Sequence, residues 1–158
     1  MFASSKKLLV AASLAALSGA AFAGECPADK RVADGQGQKM ATHAATGVTD
    51  VVRSALDLGK EAPALKNHMF RLRQLDIAPG GIVPWHSHGE RPAQIYIVKG
   101  EIYEYASNCA VPILHKAGDV APEGKGTSHW WQNTSKEPAL LISVDILHDK
   151  AGADKKTM

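Results

Sequence analysis

The chain has 158 residues, 45% hydrophobic and 22% charged, with a formal net charge of +2. That is one domain's worth of sequence. A charge so balanced, with no basic patch, argues against nucleic acid or an anionic membrane as partner. Two cysteines, Cys26 and Cys109, stand far apart, which leaves a thiolate metal site or a C-x-x-C redox pair unsupported.

Residues 1–23 read as a secretory leader. Lys6 and Lys7 open it, an apolar stretch from Leu8 to Leu17 follows, and Ala21-Phe22-Ala23 has the small-residue form cut by a signal peptidase. The apolar stretch is short and alanine-rich for a membrane anchor, and no other stretch is long and apolar enough to span a bilayer. Cleavage after Ala23 removes both leader lysines and no acid, which takes the formal charge from +2 to zero. The expected location is periplasmic or secreted. In such an oxidising compartment an even cysteine count favours pairing, so Cys26 and Cys109 are expected to be joined.

Residues 24–66 are expected to form an N-terminal arm. Its first part is polar and glycine-containing, without a clear period, and "VTDVVRSALDL" (48–58) favours a strand over a short helix because valines cluster at its start. "HMFRLRQLDI" (68–77) alternates, with Leu72 and Gln74 on one parity and Arg71, Arg73 and Leu75 on the other, as a half-buried strand does. Short strand-like runs continue to residue 149, separated by turn signals such as "KG", "EGKG" and "TSKEP". Close, regular spacing of short strands points to an all-β sandwich or barrel. Residues 150–158 read as a solvated tail.

Chemistry concentrates in two runs. In "PWHSHGERPAQIYIVKGE" (84–101), His86 and His88 stand two apart, so on a strand both imidazoles face the same side. "GTSHWWQN" supplies His129 from a second strand-like run. Trp131 shares the parity of His129 and is expected to wall the same interior, while Trp130 points away. Tyr96 is a further candidate cavity residue. Arg91 has two readings, a two-pronged contact to a substrate carboxylate or a solvated loop residue. His43, His68, His115 and His148 have no spacing partner and read as surface or structural histidines.

Here the sequence resembles the cupin family over about residues 68–148. The first family block runs from a glycine through H-x-H and a glutamate to a second glycine; Gly80, His86, His88 and Gly100 stand in its register. The second block runs from a glycine through P-x-G to a histidine and an asparagine; Gly118, Gly126, His129 and Asn133 match it, with Gly124 at the proline position. The glutamate position is Ala93, which cannot bind metal.

The resemblance implies a single-domain jelly-roll barrel (67–149) and one divalent transition metal, Fe, Zn, Mn, Cu or Ni, on His86, His88 and His129. Imidazole suits each of these metals. Three alternatives stand for the fourth position: Gln94 through its amide oxygen, Glu90 reaching back from its loop, or solvent, and the reading favours solvent. The implied partner is a small molecule, with the 48–58 strand open to pairing in a homodimer. Two function classes follow: a dioxygenase-type oxidoreductase on a small organic substrate, or a non-catalytic metal or small-ligand binding protein of the cell envelope.

Overall fold

The computed structural model describes residues 24–39 and 43–148. The leader (1–23) and the tail (150–158) lie outside the described residues. Eight strands follow one another: β1 (Thr46–Asp57), β2 (His68–Ser87), β3 (Ala93–Lys99), β4 (Glu101–Ala106), β5 (Ile113–Lys116), β6 (Val120–Glu123), β7 (Ser128–Gln132) and β8 (Ala139–His148). Among the described residues a short α-helix (Leu58–Glu61) and a 3-10 turn (Pro63–Leu65) sit between β1 and β2. Among the described residues no helix is long and apolar enough to cross a membrane.

The strands form one antiparallel sheet in the order β5-β4-β7-β2-β8-β3-β6, with β1 on β2, and it curls into a nearly closed barrel. β2 is the spine. Its first half pairs with β8 on one edge and β1 on the other, and its last residues pair with β7. β1 therefore pairs within its own chain along Val48–Asp57, with a bulge at Arg53.

Alternation decides what faces inward. Ile77, Ile97, Ile102 and Leu141 are almost fully buried and pack with Trp131, Leu75 and Ile95 into one core, each such side chain contributing about 1.5–3 kcal/mol on burial. On β2 the inward parity carries Arg71, Arg73, Leu75 and Ile77, while Phe70 and Leu72 face out at 40% and 37% exposure. Two arginines point inward because β8 places the buried Asp145 directly opposite Arg71. Asp145 accepts hydrogen bonds from Nε and Nη2 of Arg71 (2.8 and 2.7 Å), Nη1 of Arg73 (3.2 Å) and Nη1 of Arg91 (3.0 Å). Arg73 also pairs with Asp50 of β1.

The four glycines of the sequence pattern, Gly80, Gly100, Gly118 and Gly126, all take positive φ. At Gly100 a Cβ would also lie 2.8 Å from the Pro138 carbonyl oxygen, so only glycine fits that turn. Asn133 is fully buried and closes the corner after β7: its amide donates to the carbonyls of Ile77 and Glu137 (3.0 and 2.8 Å), and its oxygen accepts from Ser135 N–H (2.9 Å).

The arm is tied down rather than loose. Cys26 and Cys109 form a disulfide with their Cα atoms 5.8 Å apart, across 83 residues of sequence. Arg31 bridges to Cys109, Val32 N–H donates to Asn108 (3.0 Å) and Gly37 N–H to Ser107 (2.7 Å).

Candidate metal centre

Three strands bring the site together. His86 near the end of β2 and His129 of β7 are cross-strand partners. His88 follows immediately after β2, and its N–H donates to the Thr127 carbonyl (3.1 Å), which fixes it beside β7. The fourth member is Glu123, the last residue of β6. The ligand atoms of His86, His88, Glu123 and His129 all lie within 4.8 Å of one another.

The hydrogen bonds of each ring fix its tautomer. A carbonyl can only accept, so Nδ1 of His86 donates to Pro84 (2.9 Å) and Nδ1 of His88 donates to Arg91 (2.8 Å). Nδ1 of His129 donates to the Glu104 carboxylate at 2.6 Å. In every ring the Nε2 lone pair is left facing the centre. His129 Nε2 lies 3.1 Å from His86 Nε2 and 3.3 Å from Glu123 Oε1, and His88 Nε2 lies 3.1 Å from Glu123 Oε2. Converging lone pairs and a carboxylate repel unless a cation or a proton sits between them. His88 Nε2 is buried without a hydrogen-bond donor, as a vacant ligand atom would be. This donor set fits a divalent transition metal, with nitrogen and oxygen ligands and coordination sides open to the cavity.

The titration behaviour agrees. Burial, then the charge of His129, pushes His86 down to about 2, and the same causes push His88 to about 4, so both rings stay neutral. Burial pushes Glu123 up to about 7, assisted by the Glu104 charge and opposed by His129. Burial acts to lower His129, but its bond to Glu104 and the Glu123 charge outweigh this and raise it. Burial would raise Glu104, yet its bonds to His115 and His129 hold it near 2.

Behind the ligands lies a second carboxylate–imidazole unit. Glu104 of β4 is buried and bridges His129 Nδ1 (2.6 Å) and His115 Nε2 (2.8 Å). Such a partner orients the ligand ring and raises its basicity. His115, expected as a surface or satisfied structural histidine, is fully buried, with its ring 4.7 Å from that of Trp131. Its Nδ1 has no hydrogen-bond partner.

Several expected site residues are placed elsewhere. Gln94 and Tyr96 lie on the outer parity of β3, and Tyr96 is 47% exposed, so neither reaches the interior. Glu90 is exposed in the loop after His88 and stands outside the cluster. Beside the three histidines, Glu123 offers a fourth ligand atom that the sequence reading does not consider. It lies directly opposite Ala93 on the paired strand, so the carboxylate has moved one strand across and the small Ala93 leaves it room. The parity of "VAPE" carried the signal: Ala121 and Glu123 share the buried side of β6. Trp131 is core and cavity wall at once, its ring 5.6 Å from that of His129, while Trp130 faces outward and stacks on Tyr105 at 4.0 Å. Arg91 lies on Asp145 at the cavity wall rather than in solvent.

The cluster opens into a cavity of about 80 Å3 walled by His86, His88, Glu123, Arg73, Arg91 and Trp131. Two guanidiniums line it, Arg73 paired with Asp50 and Asp145 and Arg91 paired with Asp145.

Residues 73–145 match the family described as the cupin domain. The barrel is a cupin domain. Among curated proteins, this cupin is 29% identical over 88 residues to germin-like protein subfamily 2 member 2 of Arabidopsis thaliana, covering 54% of this chain and 40% of that one. It is 26% identical over 103 residues to auxin-binding protein ABP19a of Prunus persica, covering 62% and 49%. The chain thus spans less than half the length of either relative. Among solved structures, a predicted oxalate decarboxylase from Thermotoga maritima superposes with a TM-score of 0.52 at 23% identity, covering 78% of this chain and 98% of that one. The cupin domain of Schizosaccharomyces pombe Cnp3 has a TM-score of 0.50 at 16% identity, covering 66% and 63%. At such identities these structures establish the fold alone.

Proposed function

We propose that this cupin is an exported oxidoreductase that binds one divalent transition metal through His86, His88, His129 and Glu123 and acts on a small organic anion. The observation that carries the reading is the convergence of three Nε2 lone pairs and one buried carboxylate at the wall of a cavity that Arg73 and Arg91 also line. The bound metal would supply Lewis acidity and, for a redox-active ion, electron transfer. The chain's own residues do the rest. Arg73 and Arg91 draw a carboxylate toward the cluster. Leu75, Val83, Ile95, Trp131 and Leu141 keep the space around it apolar. Glu104 holds the Nδ1 proton of His129, so that the ring presents Nε2 inward. The disulfide supports export, since such bonds persist in oxidising compartments.

The test is reconstitution of metal-free protein with iron, manganese, copper, zinc or nickel, followed by a screen of small mono- and dicarboxylates for oxygen uptake and product release. Metal-dependent turnover supports the reading. A second reading, a non-catalytic metal-binding protein, has one observation in its favour: Arg73 and Arg91 already have carboxylate partners. Tight stoichiometric metal with no turnover on any carboxylate would select it. The homodimer is also proposed, with Phe70, Leu72, Tyr96, Val98 and Val120 exposed on the outer face of β2, β3 and β6 as the surface available to it.

A further inference from the structure

His115 poses a problem that the metal centre does not solve. Its Nε2 bonds to Glu104 (2.8 Å), whose other oxygen accepts from His129 Nδ1 (2.6 Å), so the Glu104 carboxylate acts as acceptor to both rings. The His115 proton therefore sits on Nε2, and Nδ1 carries a bare lone pair. That atom is buried without a donor, an arrangement folded proteins avoid.

The nearest feature is Gly24. A Cβ built on Gly24 would lie 2.9 Å from His115 Nδ1, 3.0 Å from Asp119 Cβ and 3.2 Å from Asp119 Cγ. For carbon, 2.9 Å is a clash. For an amine nitrogen it is hydrogen-bond distance, and a shift of a few tenths of an ångström relieves the approach to Asp119 Cβ. The two positions are interchangeable at a chain terminus: a rotation of about 120° around the Cα–C bond carries nitrogen into the Cβ place, and both bonds are about 1.5 Å long. In an uncut chain the same nitrogen is an amide, fixed by the residue before it.

We propose that cleavage after Ala23 frees an α-amino group at Gly24 that seats on His115 Nδ1 beside Asp119, so that processing of the chain completes the His115–Glu104–His129 unit behind the metal centre. Cleavage itself is ordinary hydrolysis by an endopeptidase of the signal-peptidase class. Water adds across the Ala23–Gly24 bond, leaving a carboxylate on Ala23 and an ammonium on Gly24.

Three further observations fit. The ammonium donates and cannot accept, which is what Nδ1 lacks. The Asp119 carboxylate supplies the opposing charge, held in place by its Oδ2 accepting the Lys116 N–H (2.7 Å). The disulfide at Cys26 anchors the chain two residues downstream, and Gly24 and Glu104 wall the same cavity. The inference rests on the export reading, and its coupling to metal rests on the proposed metal centre.

The experiment compares exported protein that begins at Gly24 with the same protein carrying one extra alanine before Gly24. Intact mass first establishes the terminus. In metal-free protein at neutral pH, reductive methylation should label the Gly24 α-amine at least about tenfold more slowly than the extended terminus, the factor equivalent to one pKa unit of differential interaction. His115 Nδ1 should carry the 15N shift of a hydrogen-bonded acceptor only in the Gly24 form, with Asp119→Asn weakening that signature while leaving the barrel intact. The zinc dissociation constant should rise about tenfold in the extended form, the low end for loss of a partner behind a ligand.

Slow labelling together with weaker zinc in the extended form supports the proposal. Equal labelling rates overturn the docking. Slow labelling with an unchanged zinc constant overturns the coupling. A mass that retains Lys6 and Lys7 overturns the proposal at its first step and the export reading with it, while the metal centre stands.

Discussion

Replacing Glu123 with glutamine should stabilise the metal-free protein, and only at high pH. Burial raises the Glu123 pKa from 4.5 to about 7. The folded chain therefore keeps this proton while the unfolded chain has already lost it, so the Glu123 contribution to stability is full below about pH 4.5 and is lost as pH rises through 7. The shift from 4.5 to about 7 corresponds to about 3 kcal/mol at pH 8 at most. His129 loses one of its two carboxylate neighbours in the variant, so the net gain should be nearer about 2–3 kcal/mol. That corresponds to roughly 6–12 °C in Tm for a domain of this size. His86 and His88 act in the opposite sense, since their depressed pKa values cost stability below about pH 6.5, but both proteins carry them and the term cancels in the difference. The assay is urea unfolding of wild type and Glu123→Gln with chelator present, at pH 4.5 and pH 8. The variant should gain at pH 8 and match wild type at pH 4.5. Adding zinc should then stabilise wild type more than the variant, because the ligand charge is gone. An equal effect at both pH values, or a loss at pH 8, would refute the argument that Glu123 is a buried acid waiting for a cation.

Other perturbations separate the same roles. His129→Ala should lose most of the bound metal, whereas Gln94→Ala and Glu90→Ala should retain it; elemental analysis after dialysis decides this. Glu104→Gln should weaken metal binding about 10- to 100-fold without removing a ligand, as loss of an orienting carboxylate does, read by competition with a chromophoric chelator. Asp145→Asn should destabilise the barrel by about 3–5 kcal/mol, because it takes the carboxylate from Arg71 and Arg91 and leaves Arg73 with Asp50 alone, and denaturant unfolding would measure it. Reducing Cys26–Cys109 should cost about 2–5 kcal/mol, and a thiol count near zero in denaturant without reductant checks the bridge itself.

The sequence carried much of the fold because the signal is strong where it matters. H-x-H spacing and period-two alternation place His86 and His88 together, and four glycines in register mark the turns that need positive φ. The fourth ligand was not legible from local spacing. Glu123 lies thirty-five residues beyond His88 in sequence, and only the pairing of β6 with β3 sets it opposite Ala93. Gln94 and Glu90 looked closer because closeness was counted along the chain. Tyr96 was misplaced for a simpler reason: its parity follows Gln94 and Val98, and the apolar Ile95 and Ile97 take the inside. The pairing of His115 with Glu104 is likewise a product of the β4–β5 hairpin, which no motif announces.

The most direct test of the metal centre is an anomalous diffraction measurement at the absorption edge of the metal that copurifies with the protein. One peak is expected, within about 2.0–2.2 Å of Nε2 of His86, His88 and His129 and of one Glu123 oxygen. A peak elsewhere, or a peak on the three histidines with the Glu123 carboxylate turned away, would contradict the four-ligand account.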